Sequence, residues 1–139
     1  MLVATHTIAT DVSRDSIWEI WTRVSAWPAW DHELEQVTLN GGFVTGSMGV
    51  IKPKKAPKAN FVLVEVVPNQ SFTVESQLPL TKLSFYHTLA TADDGKTLLT
   101  HSVSLKGVLA PLFTLILSAK MRRGLPQAMQ ELLRAAQSV

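Results

Sequence analysis

The sequence predicts an antiparallel α+β domain in which a run of strands is enclosed by helices. Three observations carry this. Residues 2–10 are rich in β-branched side chains, and the stretch from Glu33 to Gly107 alternates strand-like segments with turn material. Residues 14–24 and 110–137 carry helical signals instead. The order is therefore strand, helix pair, six strands, long helix, not the β/α alternation of a parallel sheet.

Each element has its own justification. After the first strand, Ser13 is placed to cap a helix from about Arg14 to Val24, whose Ile17, Ile20, Trp21 and Val24 recur at helical spacing. Trp18 and Trp21 lie three apart, so one is expected to touch the sheet while the other stays partly exposed. Pro28 ends or redirects the helix, and a short second turn carries Trp27 and Trp30. Six segments follow: "ELEQVTLN", "GSMGVIKP", "ANFVLVEVV", "SFTVESQL", "KLSFYHTLATA" and "KTLLTHSVSLK". They are separated by "GG", "KKAPK", "PNQ", "PLT" and "DDG", all favourable turn sequences. The final third is helical from about Ala110 to Gln137, with a kink or break expected at Gly124 and Pro126.

The "DDG" turn fixes a register. Leu83, Phe85, His87 and Leu89 share one face of the sixth strand, and Leu99, His101, Val103 and Leu105 share one face of the seventh. A two-residue turn would oppose these apolar faces to polar ones. A three-residue loop, Asp93-Asp94-Gly95 with a left-handed glycine, pairs Ala92 with Lys96. It then pairs Leu89 with Leu99, His87 with His101, Phe85 with Val103 and Leu83 with Leu105. The two histidines sit side by side on the inner face. Tyr86 faces outward, and Glu65 lies on a strand whose two faces are equally apolar.

Composition narrows the function. At 139 residues the chain is one domain, residues 1–139, able to bury a core without disulfides, and it has no cysteine. Hydrophobic residues make up 46% and charged residues 17%, which excludes a disordered chain. A net charge of +2 argues against a dedicated nucleic-acid binder. The N-terminus lacks the basic and long apolar regions of a signal peptide. The longest apolar run, "VLAPLFTLILSA", is shorter than the roughly 18–20 residues of a membrane span. No transmembrane segment and a cytoplasmic location are expected.

The strand, the segment "WEIWTRVSAWPAWDHELEQVTLNGGFVTGS", the six-strand run and the long C-terminal helix together resemble the polyketide cyclase/dehydrase and lipid-transport superfamily. This is the SRPBCC group, START-related, with the helix-grip fold of the birch-pollen allergens. The resemblance covers essentially the whole chain, and its most specific part is Trp27-Pro28-x-Trp30-Asp31 followed by Gly41 or Gly42 and Gly46. It implies a curved seven-stranded sheet gripping the C-terminal helix, with a cavity between them for an apolar or aromatic molecule. It also implies that the first and last strands are neighbours, which places His6 beside His101. Members range from carriers to cyclases and dehydratases, so the resemblance alone does not settle catalysis.

Within this frame Leu83, Phe85, Leu99, Val103 and Leu105 are expected to form the sheet wall, and Leu112, Phe113, Ile116 and Leu117 the helix lid. His6, Trp27 and Trp30 are further ligand-binding candidates, the tryptophans as packing anchors or as rings at the cavity rim. His87 and His101 are the chemical candidates: a hydrogen-bonded interior pair, a polar patch orienting a ligand, or an acid/base pair. Neither a metal nor a cofactor is expected, because the three histidines are spread across strands with no close-spaced ligand pair. Asp31 reads as a turn residue, and "KPKKAPK" as a solvated loop or as an attractor of anionic head groups or a carrier protein to the cavity rim. The all-round apolar Val108–Ala119 run implies burial against the sheet, a ligand or a second subunit, so a homodimer is open. Three function classes follow: binding of a hydrophobic small molecule, a cyclase or dehydratase using the histidines, and a partner-binding module whose interior is filled by side chains.

Overall fold

A computed structural model describes residues 1–139. The elements are β1 (Leu2–Thr10), α1 (Arg14–Thr22), a 3-10 segment (Val24–Ala29), β2 (Leu34–Asn40), β3 (Met48–Pro53), β4 (Ala59–Val67), β5 (Ser71–Leu78), β6 (Thr81–Thr91), β7 (Thr97–Gly107) and α2 (Ala110–Gln137). All seven strands form one antiparallel sheet in the order β1-β7-β6-β5-β4-β3-β2, so the first and last strands are neighbours as the resemblance implies. The α2 helix packs against β1, β7 and α1 on the inner face.

Local chemistry explains the helical corner. The Ser13 hydroxyl accepts the Ser16 N–H at 3.1 Å, which satisfies one free donor of the first turn. The α-helix stops at Thr22, two residues short of the expected end, and the chain tightens into the 3-10 segment. With three residues per turn, Val24, Trp27 and Trp30 eclipse one another, and all three are buried. Trp21 is fully buried while Trp18 is half-buried, the division expected from their spacing.

The β6–β7 hairpin has the expected loop and register. Gly95 is left-handed at φ +86°, and the Ala92 N–H donates to Lys96 O at 2.8 Å. His87 faces His101, Phe85 faces Val103, and Leu83 faces Leu105. In β4 a bulge between Leu63 and Glu65 turns Val64 and Glu65 both to solvent, leaving Phe61 and Leu63 on the inner face. Tyr86 is exposed.

The expected break in the C-terminal helix does not occur: α2 runs unbroken through Gly124 and Pro126. Phe113, Leu117 and Met121 before this point, and Leu125, Met129, Leu132 and Ala136 around and after it, all pack on the core. Anchoring on both sides overrides the propensity cost.

Gly49 on β3 is a space requirement. A Cβ there would lie 2.5 Å from Phe61 Cζ and against the Thr38 carbonyl. Gly49→Ala is expected to cost about 1–3 kcal/mol by overpacking, read as a lower urea midpoint. An unchanged midpoint would show that both the Phe61 ring and the β2 backbone at Thr38 have room to move.

Candidate functional site

The register brings four side chains into one row across the sheet: His6 on β1, His101 on β7, His87 on β6 and Phe72 on β5. The helical corner covers this row with indoles. Trp21 stands 5.8 Å from His87 and 5.9 Å from His101 by ring centroids, and Trp30 stands 6.3 Å from His101. His87 stacks flat on Phe72 at 3.9 Å, and its edge meets His101 at 4.6 Å.

The two histidines differ in how they are satisfied. His87 Nδ1 lies 3.3 Å from the Phe72 carbonyl. A carbonyl only accepts, so Nδ1 carries the proton of the neutral ring. Burial pushes the His87 pKa down to about 3, against a smaller opposing effect of backbone hydrogen bonds. Burial likewise holds His101 well below the usual imidazole range, with further lowering by His87 and His6. Both rings are therefore neutral near pH 7. His101 Nε2, Trp21 Nε1 and Trp30 Nε1 are buried without a protein hydrogen-bond partner, and so is Thr114 Oγ1 on α2. Two indole N–H donors thus accompany an uncommitted imidazole nitrogen in an otherwise apolar setting.

The remaining candidates divide. Leu99, Val103 and Leu105 are fully buried in the sheet wall. Leu83 and Phe85 on β6 are half-buried, as are Phe113 and Leu117 on α2 and His6 on β1. The α2 helix packs on β1, α1 and β7, and Leu78 of β5 with Leu83 and Phe85 of β6 stay half-buried at the margin of the core, as do Phe113 and Leu117 of α2. Leu112 and Ile116 do not belong to the lid. They are 50% and 60% exposed, because the helical repeat that turns Phe113 and Leu117 inward turns them outward.

Trp27 is a packing anchor and not a rim residue. It is buried between Phe61 and Phe72, stacked at 6.2 Å and 5.8 Å, and its Nε1 donates to Trp21 O at 3.0 Å. Asp31 makes the expected turn, its carboxylate accepting the Glu33 N–H at 3.1 Å, and burial raises its pKa. Sequence reasoning had given Trp21 and Thr114 no polar role. The signal for Thr114 was present as the one hydroxyl amid the apolar residues from Val108 to Leu117.

The interior around the histidine row is filled by rings where the resemblance implied open space. Two surface depressions lie elsewhere. One of about 200 Å³ is lined by Gln36, Thr38, Val50, Lys52 and Lys58. The other, of about 300 Å³, lies between the Asp11–Ser16 region and the end of α2.

Comparison with solved structures places this architecture among known folds. The chain superposes on the di-domain ARO/CYC StfQ of the steffimycin biosynthetic pathway with a TM-score of 0.71 and 16% identity, covering 99% of this chain. It spans 50% of that longer protein's length. Norcoclaurine synthase from Thalictrum flavum gives 0.72 and 13%, with 98% of this chain and 86% of that one covered. The Zhui aromatase/cyclase from Streptomyces sp. R1128 gives 0.69 and 16%, with 96% and 92% covered. These likenesses establish the helix-grip fold. No curated protein sequence matches the chain. No helix is long and apolar enough to cross a membrane. The model of the family described as "Polyketide cyclase / dehydrase and lipid transport" matches residues 1–139, and the chain belongs to that family.

Proposed function

We propose that the protein binds a hydrophobic or aromatic small molecule between β6 and the first half of α2, entering among the half-buried Leu83, Phe85, Phe113 and Leu117, with His101 and Trp30 as its polar anchors. The observation that carries this is the set of buried nitrogens on Trp21, Trp30 and His101 with no protein partner. A buried polar atom without a partner costs about 1–3 kcal/mol, so a ligand oxygen that satisfied it would be favoured. Half-buried Leu83 and Phe85 lead towards these atoms, since His87 and His101 form the next inward-facing pair along the same hairpin. Apolar walls with a few convergent polar groups are the usual composition of a small-molecule site.

The electrostatics favour binding over acid/base turnover. A general base works best with a pKa near the working pH, and burial holds both histidines well below it. A neutral imidazole remains a competent hydrogen-bond partner.

Native mass spectrometry of the purified protein, beside a denaturing run, tests the reading. An adduct of lipid-like or aromatic mass is expected, and Phe113→Ala is expected to reduce its occupancy. His101→Phe is expected to weaken binding about tenfold, the equivalent of one hydrogen bond. A bare protein that also takes up no added aromatic or lipid probe would leave the partner-binding class standing. Occupancy unchanged by Phe113→Ala would move the site away from α2.

A further inference from the structure

We propose that the end of the molecule formed by the β5–β6 turn and the first half of α2 docks on an anionic lipid surface. The proposal goes beyond ligand binding in the interior and rests on a different face. Leu80, Val108, Leu112, Leu115 and Ile116 are between 50% and 79% exposed. Leu112, Leu115 and Ile116 recur at i, i+3 and i+4 on the outward side of α2. The helix is thus apolar on its solvent face as well as its packed face over its first two turns.

The neighbouring turn adds to the patch at a conformational cost. Leu80 occupies the second position of a two-residue turn after Pro79, at φ +51°. That position ordinarily takes Gly or Asn, and a leucine there is strained. Its side chain is nevertheless 69% exposed and makes no compensating burial. The turn is also held against α2. The Val108 N–H donates to Leu80 O at 3.0 Å, and the Leu109 N–H to Thr81 Oγ1 at 3.2 Å. Gly107, at φ +138°, permits this contact, because a Cβ there would press on the Leu80 carbonyl and lie 2.8 Å from Thr81 Cα. The leucines are therefore presented together by a fixed backbone.

Charge selects the occupant. From Val108 to Gln130 the chain has no acidic residue, while Lys120, Arg122 and Arg123 follow the apolar stripe and Lys106 precedes it, all exposed. Glu33 lies 3.4 Å from the Lys120 ammonium, and its carbonyl accepts the Lys54 N–H at 2.9 Å. That link ties the lysine-rich β3–β4 loop, with Lys54, Lys55 and Lys58, to the same end of the molecule. A second copy packed on this face by two-fold symmetry would set one cation-rich patch against another. Apolar side chains entering the headgroup boundary, with long cations reaching anionic headgroups around them, fit both features at once.

Co-sedimentation with phosphatidylcholine vesicles, with and without phosphatidylglycerol, tests the proposal, with folding of every variant checked by circular dichroism. The wild-type protein is expected to pellet with the anionic vesicles and at least tenfold less with the neutral ones. Leu115→Ser/Ile116→Ser and Arg122→Gln/Arg123→Gln are each expected to lose binding to a similar degree. Leu80→Gly is expected to weaken vesicle binding while raising the unfolding midpoint, since it relieves the left-handed leucine. Failure of the wild type to pellet with either vesicle would overturn the proposal. So would a concentration-dependent dimer that dissociates in the Leu115/Ile116 variant, which would make this face a contact between copies.

Discussion

Lowering the pH from 7 to 5 is expected to remove about 2 kcal/mol of folding stability through His87 alone, with His101 acting in the same direction. Burial lowers the His87 pKa from 6.5 to about 3 in the folded state. Between those values the unfolded chain binds a proton that the folded chain excludes. Stability contributed by the neutral ring is thus fully present above about pH 6.5 and declines as the pH falls towards 3. His101 is shifted the same way by its burial. Asp31 opposes them at lower pH: burial raises its carboxyl, so protonation there favours the folded state as the pH falls. Urea unfolding at pH 7 and pH 5 reads the balance. A loss of about 2 kcal/mol corresponds to a midpoint shift of about 1 M in urea. His87→Phe, which keeps a flat ring over Phe72, is expected to remove its share of the slope. A midpoint that does not move between these pH values, or a slope untouched by His87→Phe, would sink the assignment.

Removing the Phe72 ring is expected to be the most damaging single truncation in the site, at about 3–5 kcal/mol. Phe72 is fully buried and is the ring against which the others assemble. It stacks on His87 at 3.9 Å and meets Trp21 and Phe43 at 5.0 Å and Trp27 at 5.8 Å. Phe72→Ala leaves a cavity that three indole and phenyl rings cannot close without leaving their own contacts. Domains of this size have only about 5–15 kcal/mol in total, so the variant approaches the threshold of folding. Phe72→Leu is expected to lose distinctly less. A second consequence separates this from generic core damage. With Phe72 gone, water gains access to His87, so the pH 5 to pH 7 difference is expected to shrink in the alanine variant. A loss under 1 kcal/mol would show that the other rings close over the site, and an undiminished pH difference would show that His87 is held neutral by other groups.

The order of elements, the hairpin register and the pairing of His87 with His101 were legible in the sequence, because each follows from local rules. Apolar alternation assigns faces, and the "DDG" turn admits only one register that keeps those faces together. The three-residue period that buries Val24, Trp27 and Trp30 was only half legible: Pro28 announced a change of helix, but not its type. The continuity of α2 through Pro126 was not legible, since it depends on packing against β1, β7 and α1. The orientation of Leu112 and Ile116 was likewise hidden, because a stretch apolar on every side carries no phase until a partner surface chooses one. The burial that keeps both histidines neutral was hidden as well. Which indole lies over His101, and which nitrogen has no partner, are decided by contacts between residues some 70 to 80 positions apart. Sequence periodicity fixes the face of an element, while desolvation and unmet hydrogen bonds are properties of the space between elements, which only the assembled tertiary structure defines.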